Sequence, residues 1–164
     1  MTDHGGLKRL NQLTRAEAEA ELRACCASRR WAVAIASGRP YATSAALYDA
    51  AEQAWWSLDE SDWLEAFAAH PRIGQLEAAD PRARREQARV AAASADTLAV
   101  LAEANRAYEE QFGRVFLICA SGRSADEMLA SLRERLNNDA KTELRIAAGE
   151  QARITRSRLE RLVR

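Results

Sequence analysis

Val115-Phe116-Leu117-Ile118-Cys119-Ala120 is the only β-like run in this chain of 164 residues. One strand cannot make a stable sheet by itself. The run is therefore expected to be a buried extended segment or the start of a helix, and the fold class to be all-α. Everything around it favours helix. Ala, Leu, Glu and Arg dominate, and they enter helices at little cost. The residues that punctuate structure, Gly (7) and Pro (3), are scarce. The expected architecture is a single-domain bundle of about seven to nine helices over residues 1–164.

Upstream of the run, Phe112-Gly113 closes helical sequence that begins at Asp80-Pro81, a cap followed by proline at the first helical position. A break is expected near Ser94 and Asp96. Downstream, Ser124-Ala125-Asp126-Glu127 has the form of a capping box. It opens a helix with Met128, Leu129, Leu132 and Leu136 on one face, ended by Asn137-Asn138. A final helix runs from about Asp139 to the end. Further upstream, Thr14-Arg15-Ala16-Glu17 is another capping box, opening a helix to about Ser28. A short helix through Trp31 to Ile35 stops at Gly38, and Arg39-Pro40 makes a corner. Ser44 caps a helix carrying Leu47, Ala51, Ala54 and Trp55. Leu58-Asp59-Glu60-Ser61 then turns the chain into a helix from Asp62 that should end at His70, because Pro71 disfavours helical backbone before it. Trp31, Trp55, Trp56 and Trp63 are expected in the core.

Composition excludes several functions. Lys+Arg is 24 and Asp+Glu is 24, a net charge of +0. A nucleic-acid binder that works by neutralising phosphates needs a basic excess or face, so no nucleic-acid partner is expected. No apolar run approaches the roughly 20 residues of a membrane span. Asp3, His4 and Lys8 interrupt the start where a signal peptide would be apolar. The 3 Cys are odd in number and lack CxxC spacing, which suits free thiols in a reducing, cytoplasmic setting. Cys25, Cys26 and Cys119 read as small buried hydrophobes. Two histidines are too few for a multi-histidine metal site, so no metal is expected.

Three features could carry chemistry. In His70-Pro71-Arg72-Ile73-Gly74, a histidine closes a helix and a rigid proline and a glycine shape the loop after it. Helix carbonyl ends favour the imidazolium, so His70 could exchange a proton near neutral pH; it could equally be a capping histidine. Glu86-Gln87 follows Arg82, Arg84 and Arg85 about one turn into a helix. Glu86 could orient His70 or share protons with a substrate; it could equally sit on a solvated face with arginine partners. In the last helix Leu144, Ala148, Ile154 and Leu162 recur at helical spacing, and Arg158 falls on that stripe while Arg153 and Arg164 fall opposite. A buried-face arginine needs an anion, from the protein or from a ligand.

Taken in order, Arg39-Pro40-Tyr41, Trp63-Leu64-Glu65-Ala66-Phe67, the His70 to Gly74 loop, Glu86-Gln87, Asn105-Arg106-Ala107-Tyr108 with Phe112-Gly113, Phe116 to Ala120 and Arg158-Leu159 resemble the OHCU decarboxylase family. Its members act on 2-oxo-4-hydroxy-4-carboxy-5-ureidoimidazoline, at the end of the route from urate to allantoin. The resemblance runs from about Leu10 to Leu162 and implies an all-α fold. It implies His70 as acid/base with Glu86 as its partner. It implies substrate binding by Pro71, Gln87, Arg158 and the run Phe116, Leu117, Ile118, Cys119 and Ala120. One departure stands out: where members often carry a hydroxyl residue three positions before the glutamate, this chain has Ala83.

The implied chemistry uses no cofactor. Most decarboxylases borrow an electron sink; here the substrate has one, since the carbon losing CO₂ bears a hydroxyl and adjoins a ring carbon conjugated to nitrogen. Loss of CO₂ leaves an enol- or enamine-like intermediate, and protonation of one face gives (S)-allantoin. The implied partner is this anionic ureidoimidazoline, and the resemblance leaves room for a homodimer. Two rival readings stay open: a non-enzymatic helical interaction module, and a homologue acting on another ureido acid.

Overall fold

A computed structural model describes residues 5–75 and 81–164. Among them are ten helices: α1 (Gly5–Gln12), α2 (Arg15–Cys25), α3 (Arg29–Ser37), α4 (Ser44–Trp56), α5 (Glu60–Phe67), α6 (Pro81–Glu86), α7 (Ala88–Ala91), α8 (Ala95–Phe112), α9 (Ala125–Arg135) and α10 (Ala140–Leu162). No strand occurs among the described residues, so the class is all-α. The count exceeds seven to nine because α1 precedes the first expected helix and short α6 and α7 divide a stretch that the sequence presents as one helix. No described helix is long and apolar enough to cross a membrane. The chain divides into two compact units, Met1–Ala66 with Gln151–Arg164, and Phe67–Glu150.

In the first unit, hydroxyl caps set the helix starts. Thr14 and Glu17 close a reciprocal capping box at α2, the Glu17 carboxylate accepting the Thr14 N–H at 2.9 Å. This satisfies amides that an α-helix cannot pair internally. α2 stops at Cys25 rather than Ser28, because the Ser28 hydroxyl accepts the Trp31 N–H and starts α3. Thr43, not Ser44, caps α4. α2 packs on α3 and α3 on α4. Leu10, Leu22, Trp31, Ile35, Leu47 and Leu159 are fully buried in this unit.

Arg39-Pro40-Tyr41 works here as a clamp. The Arg39 guanidinium donates to the carbonyls of Ala36, Leu10 and Leu13, using its fork of donors on helix ends whose carbonyls lack donor partners. Asn11 pairs with both backbone groups of Tyr41. Three of the four tryptophans are buried, and the Trp31 and Trp63 indoles donate to the carbonyls of Ala51 and Trp55. Trp56 is not core. It is 42% exposed and stands edge-on to Trp63 with ring centroids 5.7 Å apart. Trp55 and Trp56 are adjacent on one helix, about 100° apart, so only one of them can face inward.

In the second unit, α8 packs on α9 around Leu101, Tyr108, Phe116, Ile118, Met128 and Leu132. Ser94 and Ser124 cap α8 and α9, and left-handed Gly113 (φ 73°) ends α8. Residues 115–120 are neither helix nor strand and are largely buried. Asp80, the expected cap before Pro81, lies outside the described residues. The helix from Pro81 breaks at Gln87 (φ −100°, ψ 19°), which no glycine or proline announces. In α10 the buried face includes Glu143, Ala147, Ala148, Gln151, Ile154 and Leu159, while Leu144 and Leu162 are only half-buried. Of the expected apolar stripe, Ala148 and Ile154 are thus buried and the two leucines at its ends are not. The reason is that Glu143 and Gln151 are buried with polar partners, which hides the true face from a count of apolar residues.

Candidate active site

The loop after α5 is built by local turns and then fixed from outside. α5 ends at Phe67, three residues before His70, and the His70 N–H turns back onto the Phe67 carbonyl at 3.1 Å. His70 and Pro71 are half-buried. The next three residues each meet a partner from elsewhere in this unit. Arg72 forms a two-pronged pair with Glu109 of α8, at 2.6 and 3.1 Å. The Ile73 carbonyl accepts from the buried Asn105 amide at 3.0 Å. The Gly74 N–H donates to the Gln87 side-chain oxygen at 3.0 Å. Gly74 has φ +85°, a conformation that costs glycine nothing and other residues energy. Such pinning gives a catalytic side chain a supported seat.

Glu86 is the last residue of α6 rather than one turn inside a longer helix. It is 9% exposed, whereas Arg84 and Arg85 beside it are exposed. The solvated-face reading of Glu86 is therefore overturned: its carboxylate is buried. Gln87, also buried, occupies the joint between α6 and α7. Its acceptor is committed to Gly74, so toward a ligand it would offer its amide N–H donors. Ala83 is buried one turn before Gln87, and the Gln87 N–H bonds the Ala83 carbonyl.

The run Phe116 to Ala120 is held by two side chains. Arg135 donates to the Leu117 carbonyl at 2.7 Å, and its guanidinium lies 4.5 Å over the Phe116 ring. The Cys119 N–H donates to the Glu150 carboxylate at 3.1 Å. Arg135 is itself fixed by buried Glu143, which also accepts from the Tyr108 hydroxyl at 2.6 Å and from Asn138. Burial pushes the Tyr108 hydroxyl pKa up, and the bond to Glu143 pushes the same way. Phe116, Leu117, Ile118 and Ala120 are buried and Cys119 is half-buried. Burial raises the Cys119 thiol pKa, and the charges of Glu150 and then Glu86 raise it further. A thiol shifted this way is a poor nucleophile. The second unit therefore contains the His70 loop, tied to Gln87, Asn105 and Glu109, and the 116–120 run, tied to Arg135 and Glu150, with the Glu86 charge acting on Cys119.

Arg158 belongs to the first unit, where it is half-buried. Its Nη1 donates to the Ala24 carbonyl in the last turn of α2, at 3.3 Å, a favourable place for a cation. Its charge also acts on Cys26, whose thiol burial pushes up to about 11. Sequence reasoning did not assign Asn105, Glu109, Arg135 or Glu150 to the site. Asn105 lies in a quoted motif, and Glu150 stands between Ala147 and Ile154 on the buried face of α10, a signal a helical wheel could have shown. Among the described residues no group of three or more His, Cys, Asp and Glu could hold a metal.

Comparison with known proteins identifies the family. The sequence model of OHCU decarboxylase matches residues 11–160. The uric acid degradation bifunctional protein TTL of Arabidopsis thaliana is 40% identical over 151 residues, which are 88% of this chain and 47% of that protein. This chain thus spans about half the length of that relative. The 2-oxo-4-hydroxy-4-carboxy-5-ureidoimidazoline decarboxylase of Amia calva is 30% identical over 138 residues, covering 80% of this chain and 79% of that one. A crystal structure of OHCU decarboxylase in the presence of (S)-allantoin is 41% identical with a TM-score of 0.78, covering 87% of this chain and 96% of that chain. The chain belongs to the OHCU decarboxylase family.

Proposed function

We propose that this protein decarboxylates 2-oxo-4-hydroxy-4-carboxy-5-ureidoimidazoline to (S)-allantoin without a cofactor. The observation that carries the reading is the joint at Glu86-Gln87. One residue buries a carboxylate, and the next ties down the loop bearing His70. In this reading the substrate's C–CO₂ bond breaks, CO₂ leaves, and the bonding electrons enter the conjugated ring nitrogen, which takes a proton from water. His70, oriented with Glu86, accepts the hydroxyl proton as the enol becomes a carbonyl, and returns a proton to the adjoining ring carbon. Because the His70 loop is pinned at three consecutive residues, the proton arrives from one side, which accounts for a single enantiomer. Backbone groups of residues 116–120 suit a ureido group, whose N–H and C=O alternate as peptide groups do. Arg158 serves as a cation for the substrate anion. General acid/base assistance of this kind contributes about 10²–10⁴-fold.

Self-association as a homodimer is part of the proposal. Its support is the exposure of Trp56 and Leu64 (42% and 37%), and sedimentation at micromolar concentration tests it. The activity is tested by making the substrate in place with urate oxidase and hydroxyisourate hydrolase and following circular dichroism. Rapid accumulation of (S)-allantoin is expected. Only the slow racemic background would overturn the assignment and favour another ureido acid or a binding role.

A further inference from the structure

Residues 115–120 pass through the second unit without helix or strand hydrogen bonding of their own. Such a stretch is held in place only by what reaches it from other elements. Two charged side chains do so. Arg135 takes the Leu117 carbonyl and Glu150 takes the Cys119 N–H. The Leu117 carbonyl shares a trans peptide plane with the Ile118 N–H, and the Cys119 N–H shares one with the Ile118 carbonyl, so each tether turns the Ile118 group of its plane away from the anchoring side chain. Glu150 is buried, and its charge and that of Glu86 both act on the Cys119 thiol. The tether and the carboxylate proposed above as the partner of His70 are thus both within electrostatic range of one thiol.

We propose that Glu150 is a positioning residue for the decarboxylation: through the Cys119 N–H it sets the register of the backbone that receives the ureido group. Arg135 is its counterpart two residues away. The two differ in how they are supported. Arg135 is embedded in a buried pair with Glu143, so replacing it disturbs the core. Glu150 makes its bond to the run with one carboxylate oxygen, so its length and its charge can be varied separately. The inference rests on the decarboxylase reading for its kinetic consequences but not for the tether itself.

The test compares Glu150→Gln, Glu150→Asp and Glu150→Ala in the full chain. Glutamine keeps an acceptor at the same reach and loses the charge. Aspartate keeps the charge and is one methylene too short. If the bond to Cys119 matters, Asp and Ala variants raise KM about tenfold with a smaller change in kcat, and Gln stays within about threefold of the wild type; tenfold corresponds to roughly 1.4 kcal/mol, the scale of one hydrogen bond. Hydrogen exchange at the Cys119 amide gives a readout independent of turnover: slow in wild type and Gln, fast in Asp and Ala. Should Ala fail to fold, the Asp and Gln pair still decides. A Gln variant as impaired as Asp, or KM unchanged in all three, overturns the inference. If the wild type makes no (S)-allantoin, the decarboxylase reading fails instead, and equal Cys119 exchange in all variants would then overturn the tether separately.

Discussion

The Gln87 side-chain oxygen accepts the Gly74 N–H at 3.0 Å. The bond couples the positions of two candidate catalytic groups. Gln87 follows Glu86 directly, and Gly74 closes the loop that His70 opens. A shift of the α6–α7 joint therefore moves the loop and the carboxylate together. Gln87 thus has a structural duty besides any contact with substrate.

Replacing Gln87 with Met tests that duty through Tm, which the loss of amide donors toward a substrate would not lower. It removes the acceptor, leaves the Gly74 N–H without a partner, and keeps the volume nearly constant. The expected cost is about 1–3 kcal/mol, read as a Tm lower by about 2–4 °C per kcal/mol. With the loop loosened, kcat should fall at least about tenfold. A variant with wild-type Tm and kcat would show that the bond fixes nothing.

His70→Ala should reduce kcat by about two orders of magnitude or more while the far-ultraviolet helical signal persists. His70 is half-buried and lies beyond the end of α5, so truncating it leaves the helix intact. Turnover close to wild type in the folded variant would remove His70 from the mechanism.

For Arg158→Ala two effects can be told apart. Loss of the bond to the Ala24 carbonyl should cost about 1 kcal/mol of stability. Loss of a cation for the substrate should raise KM about tenfold or more with kcat little changed. A lower Tm with unchanged KM would assign Arg158 to capping α2 alone.

The buried Cys26 thiol predicts an alkaline weakness. Its pKa is raised from 9.0 to about 11, chiefly by burial. In the unfolded chain the thiol ionises first, so the folded state binds more protons across that window. Stability is complete below about pH 9 and falls as pH rises toward about 11, by about 3 kcal/mol at most. Cys26→Ala should flatten that slope in denaturant titrations at pH 8, 9.5 and 11. A slope identical to wild type would exclude Cys26 as the source.

Local chemistry was the legible part of the fold. The caps at Thr14, Ser94 and Ser124 stand where hydroxyl residues precede helical sequence, and Val115 to Ala120 takes the non-helical form, one of the two its composition left open. The break at Gln87 was not legible, because no glycine or proline marks it and the side chain there is engaged with Gly74 thirteen residues away. The face of α10 was only partly legible. Glu143 occupies a core position that only Arg135, Tyr108 and Asn138 together make tolerable, and no periodicity of apolar residues reveals such a group. At the site, the resemblance located His70, Glu86 and the 116–120 run. Their supports, Asn105, Arg135 and Glu150, emerge only when distant segments are brought together.

The make-up of the first unit has a consequence for synthesis. It consists of Met1–Ala66 completed by Gln151–Arg164, whereas Phe67–Glu150 is continuous. On the ribosome, which emits about 5–20 residues each second, the continuous middle is finished before the beginning can be. The partners of α1 and α2 from residues 151–164 arrive only after Phe67–Glu150 has been made. Nascent chains in which a C-terminal linker carries Glu150 beyond the exit tunnel, without Gln151–Arg164, should resist protease across Phe67–Glu150 while α2 to α4 stay cleavable, and resistance there should appear once Gln151–Arg164 is included ahead of the linker. Until then, Trp31, Leu22 and their neighbours form the segment that a ribosome-associated chaperone would need to shield.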